Sequence, residues 1–299
     1  MKALRTPTAG FALGLCLCSA AFGHAGEALE PHDFWSAWSF EPGVVASVAL
    51  TGVLYACGAL RARGVSSRRL ASFWAGWLFL AISLLSPLHP LGQALFSAHM
   101  AQHEILMLAA APLLVVSRPL VPLLWGLPIG WRRSLGQWSK FTAVQLTWFW
   151  LTRPSIAWWL HAAALWIWHA PQLFQATLRN EWVHTAQHLS FFGSALLFWW
   201  SLFYGSHRTS YGTSFLYIFT TAVHTSILGA LLTFSGRVWY PAYAGSTTAW
   251  GLTPLEDQQL GGLIMWIPAG LVYLGAGLAV FALWLRESDL VAREKEYAR

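Results

Sequence analysis

The sequence predicts an all-α, polytopic membrane protein in which seven transmembrane helices follow an N-terminal signal peptide. Three observations lead there. Of the 299 residues, 56% are hydrophobic and 10% charged, against roughly 25% charged in an average soluble domain. Several stretches reach the ~20 apolar residues that a helix needs to cross a bilayer. The 20 tryptophans suit a protein with aromatic belts at two membrane interfaces.

The elements follow in chain order. Lys2 and Arg5 precede an apolar run over 11–22 and the small residues Gly23 and Ala25 around His24, so 1–25 reads as a cleaved signal peptide, with an uncleaved first span as the alternative. Cys16 and Cys18 leave with it. Cys57 alone remains, too few thiols for a disulfide framework or a thiolate metal site within one chain. A polar arm, 26–42, carries Glu27, Glu30, Asp33 and Glu41. The membrane domain, 43–285, holds spans at about 43–60, 70–88, 98–116, 154–170, 183–204, 212–234 and 259–285. The long connection 117–153 contains Pro119, Pro122, Pro128 and a Trp-rich stretch, the composition of an amphipathic segment lying in the interface. Residues 286–299 form a charged tail.

Basic residues orient these spans. Arg61, Arg63, Arg68 and Arg69 fall in one connection, Arg118, Arg132, Arg133, Lys140 and Arg153 in a second, and Arg208 in a third. With Arg286, Arg293, Lys295 and Arg299 of the tail, 14 basic residues share one side, while the other side of the mature chain has Arg179 and Arg237. By the positive-inside rule the mature N-terminus is outside and the C-terminus cytoplasmic. The formal charge of +6 is accounted for by topology, and no basic groove for nucleic acid is needed.

That orientation gathers histidines into an outer layer. The third span opens HMAQHE, with His99 and His103 in its first turns, and the fifth opens EWVHTAQH, with His184 and His188 at the same depth. His169 closes the fourth span before Pro171, and Asp257 opens the seventh. Residues four apart share a helix face, so two H-x-A-Q-H segments direct four imidazoles toward one point. A single interfacial histidine often serves only to keep a polar edge in water. Two matched pairs point instead to a metal site. Imidazole with carboxylate suits copper or zinc, and iron less specifically. Glu104 points about 100° away from His103 and, with Gln102 and Gln187, reads as a supporting polar contact. Asp257 reads equally as a ligand or as a helix cap. His161, roughly 12 Å below His169, and His224 lie near mid-membrane, either satisfied by a hydroxyl such as that of Thr225 or Ser226 or extending a path inward. Met100, Met107 and Met265 offer soft sulfur for Cu(I) or simply pack. His89 is outer and a further candidate for the layer; His207 is cytoplasmic and is not.

The segment WYPAYAGSTTAWGLTPLEDQQLGGLIMWIP, 239–268, with its D-Q-Q-x-G-G-x-x-M-W core, resembles the multi-span CtaG-like assembly factors of caa3-type cytochrome c oxidase. HMAQHEILMLAAAPLL and WHAPQLFQATLRNEWVHTAQHLSFFGSALLFWW resemble the histidine segments of that family. The resemblance spans about 43–285. It departs at Gln187, where the family pattern carries Glu before the second histidine. It implies a copper-handling role in maturing a terminal oxidase in the bacterial plasma membrane, with oxidase subunits, a periplasmic copper chaperone and the lipid bilayer as partners.

Other classes fit less well. In a haem electron carrier each i,i+4 pair would leave one imidazole idle, because both rings point the same way. A copper transporter would use His161 and His224 as its path. A membrane di-iron oxidase needs further His-rich clusters, and Met100 and Thr185 stand where an H-E-x-x-H protease has glutamate. No side chains are arranged as a nucleophile with its base, so the expected role is non-enzymatic. With Cys57 replaced, a cysteine in the 235–256 loop should react with an impermeant thiol reagent in intact cells, whereas one at 205–211 should not. The reverse labelling would put the histidine layer in the cytosol.

Overall fold

In a computed structural model that describes residues 29–205 and 211–297, the chain is helical throughout its regular structure, with no strand among the described residues. The expected signal peptide, Arg208 and His207 lie outside the described residues. Five helices are long and apolar enough to cross a membrane: α1, Pro42–Arg61; α2, Ser67–Leu85; α4, Phe96–Ser117; α11, Tyr211–Thr233; and the last, α12, whose span covers Pro254–Asp289. The other two expected spans are also helices, α8 at Pro154–Trp168 and α10 at Glu181–Tyr204. They fall outside the five by length or apolarity: α8 has 15 residues, and α10 carries two histidines and a glutamine among its aromatics.

Local chemistry sets the ends of these helices. Pro42 and Pro154 each occupy a first turn, where the missing N–H costs nothing. Ser66 accepts from the Arg69 amide at α2, and the Asn180 side chain accepts from Trp182 and Val183 at α10. At α12, Thr253 and Glu256 form a reciprocal capping box: the Thr253 amide donates to Glu256 and the Glu256 amide to the Thr253 hydroxyl. This helix runs on to Tyr297, well past the expected end at 285, because RESDLVAREKEY contains neither Gly nor Pro to stop it.

Several connections are more ordered than loops. Short helices occupy Leu88–Ala94 (α3) and, within the long connection after α4, Leu120–Gly126 (α5), Ile129–Trp138 (α6) and Thr142–Leu151 (α7). Neither α6 nor α7 has a buried residue, and Trp131, Trp138 and Phe141 stand exposed, as befits a segment lying on a membrane surface. Pro171 does end α8, but it also starts a nine-residue helix, α9 at Pro171–Arg179, that buries Phe174 and Thr177.

Small residues let the helices approach closely. A Cβ on Gly58 of α1 would overlap the Pro122 carbonyl of α5, and one on Gly126 would overlap Leu54. Gly229 of α11 and Gly262 of α12 meet in the same way, the packing that membrane helices favour where apolar burial alone drives no association. On the opposite face of α12, Leu271, Leu274 and Leu278 are each more than half exposed, a stripe matched to lipid rather than water.

The helix bearing His99 is irregular. Its middle, Ile105–Ala110, is a π-helix, and the Trp199 indole donates to the Met107 carbonyl within it. Wide turns of this kind disturb the regular bonding ladder and leave carbonyls for outside donors. Ser72 of α2 donates to the Leu113 carbonyl below, while Ser83 and Gln102 exchange two hydrogen bonds above, so α2 follows α4 along its length.

Gly262→Val should force α11 and α12 apart and lower stability by about 1–3 kcal/mol, read as an earlier thermal unfolding in detergent. Gly277→Val, which meets nothing within 4 Å, should leave the transition where it is.

Candidate metal centre

Two helices bring the paired histidines together at one end of the bundle. The ligand nitrogens of His99 and His103 on α4 and His188 on α10 all lie within 4.8 Å of one another. His99 and His103 are almost wholly buried, at 0% and 1% exposure. His184 sits one turn above His188, its ring 4.3 Å from that of His188 and 5.2 Å from that of His99. Aromatic rings wall the cluster: Phe191 lies 4.6 Å from His103 and Phe174 5.0 Å from His99.

What marks this cluster is its unused nitrogens. Neither ring nitrogen of His103 has a partner, nor has Nε2 of His184 or His188, although all are buried. Leaving such an atom unpaired costs on the order of 1–3 kcal/mol, so buried polar atoms normally find partners. A cation would take these lone pairs. His99 adds a second sign. Its Nδ1 lies 3.2 Å from the Gly92 carbonyl, which can only accept, so Nδ1 carries the proton and Nε2 a lone pair. Gln187 Oε1 faces that lone pair at 3.1 Å. Two acceptors so placed converge on a cation; without one, turning the amide over presents a donor instead. Three clustered imidazoles with a side-chain oxygen nearby fit copper or zinc by donor type.

The sequence DQQLGG, 257–262, builds the frame of this site. Asp257 accepts from the Phe96 amide at 2.7 Å, the Ser97 amide at 3.1 Å and the Ser97 hydroxyl. It therefore caps α4 from a helix distant in sequence. Expected as a ligand or as the cap of its own helix, it caps another helix: both oxygens are engaged by the start of the helix that carries His99 and His103. Gln258 accepts from the Trp239 amide and donates to the Arg237 carbonyl, Gln259 donates to the Ser235 carbonyl, and Gly261 leaves room for the Phe96 ring. The preceding loop is thereby pulled over the site. Tyr240 donates to the His169 carbonyl, Tyr243 to Gly92 and Ser246 to Ala94.

The remaining residues divide. His169 stays at the site, against Phe174 and Phe191, but outside the triad. Gln102 donates to the Ser83 carbonyl and to His89 Nδ1, at 2.9 Å. His89, from α3, closes the rim of the cluster with its ring 5.5 Å from His184 and its Nε2 3.9 Å from Glu41. At that rim, burial and the neighbouring Glu181 carboxylate hold the Glu41 carboxyl above the usual carboxylate range. Glu104 faces the bundle interior with Oε2 unpartnered. His161 is met by Ser194 at 3.1 Å, not by Thr225 or Ser226, and His224 packs on Trp158 with both nitrogens unpartnered. Met265 lies in the apolar core. Gln93 (3.4 Å from His184 Nδ1) and the two tyrosines were absent from the expected ligand set, and only its expected outer position had suggested His89.

Asp257→Ala should strip three donors of their acceptor and destabilise the protein by about 2 kcal/mol or more. Thermal unfolding and metal analysis of the same preparation separate the roles: the transition should fall while the metal-to-protein ratio of the folded protein holds. Loss of metal with an unchanged transition would return Asp257 to the ligand set.

Comparison with known proteins places this architecture. The chain is 29% identical over 273 residues to uncharacterized proteins of Mycobacterium bovis and Mycobacterium tuberculosis, covering 87% of this chain and 41% of each relative. It is 25% identical to one of Mycobacterium leprae, over 89% of this chain and 42% of that protein. It thus spans about two fifths of the length of these relatives. No solved structure matches it significantly. Residues 53–287, which include both histidine pairs and the DQQLGG frame, match the cytochrome c oxidase caa3 assembly factor family (Caa3_CtaG), and the chain belongs to that family.

Proposed function

We propose that the protein binds copper at the outward-facing histidine site and assists metallation of a copper centre in a cytochrome c oxidase. The observation that carries this reading is the triad of His99, His103 and His188, the first two buried, with its unpartnered nitrogens, set in a family named for oxidase assembly. The reading is non-enzymatic: the protein holds a metal ion as cargo and gives it up. In it, seven helices span the bacterial plasma membrane after a signal peptide, with the mature N-terminus outside, and a periplasmic copper chaperone supplies the ion. His184 and His89 stand at the rim where an ion enters, and the triad holds it deeper. Imidazoles without a thiolate bind copper less tightly than a thiolate-rich site, so handing it to a better-enclosed centre runs downhill.

A transporter is the second reading. His224, half-buried with both shielded ring nitrogens unpartnered, and His161 below the outer site are the observations that favour it. Copper flux into sealed vesicles containing the purified protein would establish it.

The test of the first reading is to delete the gene, purify the oxidase, and measure its copper and haem separately, with and without added copper. Low copper with normal haem, partly restored by supplementation, is expected. His103→Ala, which removes a triad member, should reproduce the deletion at near-normal expression and lose bound metal. An oxidase with full copper in the deletion strain would refute the role.

A further inference from the structure

The turn of α4 that carries His99 and His103 also carries Met100, and its sulfur has a neighbour of its own. Met100 and His169 are exposed by only 1% and 3%, and Met100 Sδ lies 3.4 Å from His169 Nε2. The other ring nitrogen decides what this contact is. His169 Nδ1 sits 2.6 Å from the Leu165 carbonyl oxygen, and a carbonyl only accepts, so the proton is on Nδ1. Placing it on Nε2 would exchange a strong N–H···O bond for a weak N–H···S contact and set two acceptors against each other at Leu165. Nε2 therefore presents a lone pair to the lone pairs of sulfur, with no hydrogen between them. At Gln187 a side-chain amide can turn over and offer a donor. A thioether has no donor to offer.

We propose that Met100 Sδ and His169 Nε2 form a thioether–imidazole ligand pair for a soft monovalent cation, Cu(I) or its analogue Ag(I), beside the histidine triad. This rests on the reading that the cluster holds copper, and it adds the ion's valence and the basis of its selection. Thioether sulfur favours Cu(I) and is a poor ligand for harder divalent ions, whereas imidazoles alone accept zinc as well. Placement supports a shared site. Met100 and His103 are three residues apart and so lie on one side of α4. The Phe174 ring flanks His99 and His169 together, at 5.0 and 6.3 Å, and the Phe191 ring flanks His103 and His169. The ring of His169 is already oriented as a ligand's should be, its second nitrogen donating to a backbone carbonyl. Its own carbonyl accepts from Tyr240, which ties this end of α8 to the overlying loop.

The test is X-ray absorption at the copper edge on the full chain, purified in detergent and loaded with Cu(I) under reducing conditions. A sulfur scattering shell is expected in the wild type and in Met107→Leu and Met265→Leu. In Met100→Leu it should vanish, with Cu(I) affinity falling at least about tenfold and zinc binding unchanged. The unmutated chain grown with selenomethionine should show copper–selenium scattering, which keeps the test independent of how well any variant folds. Copper bound with nitrogen scattering alone would overturn the Met100–His169 pair and leave the imidazole site standing. A wild-type protein that binds no copper would overturn both readings.

Discussion

The carboxylate of Asp257 holds the first two backbone amides of the helix that bears His99, Met100 and His103, and the geometry of the histidine site follows from that clamp. A helix start has unpaired N–H groups and a partial positive charge, so it draws an anionic acceptor. Here the acceptor comes from α12, which fixes the height of α4 against α12. The Ser83–Gln102 exchange then fixes α4 against α2. With both contacts made, the histidines have little freedom to rotate away from His188. Gln258 and Gln259 of the same short segment tether the loop that covers the site, so one stretch of sequence governs both the floor and the roof.

The free energy around this site is arranged unusually for a membrane interior. Elsewhere many polar groups are paired: hydroxyls of Thr221, Thr225 and Thr233 return to their own helix carbonyls, and Trp77 finds Val48. Within the histidine cluster several nitrogens remain unpaired at once. In a medium without water to satisfy them, such atoms persist where the surrounding fold enforces the geometry. The capped helix, the aromatic walls and the tethered loop supply that enforcement.

The helical class and the histidine layer were legible because both are written in local periodicity. Apolar runs of the right length announced spans, and four-residue spacing placed His99 with His103 and His184 with His188 on common faces. The clamp by Asp257 was not legible, since its partners lie some 160 residues away and an acid in a helix's first turn already has a local explanation. The helix at Pro171–Arg179 was hidden by Pro171, which stops one helix and starts another with equal ease. Gln187 stood out only as a departure from a pattern; its contact with His99 appears once α4 and α10 are side by side. His89 and Met100 gave no periodic signal, one lying in a short helix between spans and the other looking like ordinary packing.

The π-helical stretch at Ile105–Ala110 acts on α4 as an inserted residue would, putting the chain on either side out of phase by about 100° relative to a regular helix. The first segment, Phe96–Glu104, can then aim Met100 and His103 into the histidine cluster. Meanwhile the last segment, Ala111–Ser117, presents Leu113 and Leu114 to Gly76 and Ser72 of α2. A straight helix in this position would have to give up one of those two alignments. The offset separates the demands of binding from those of bundle packing within a single membrane-length rod, so either half can be reshaped without misdirecting the other.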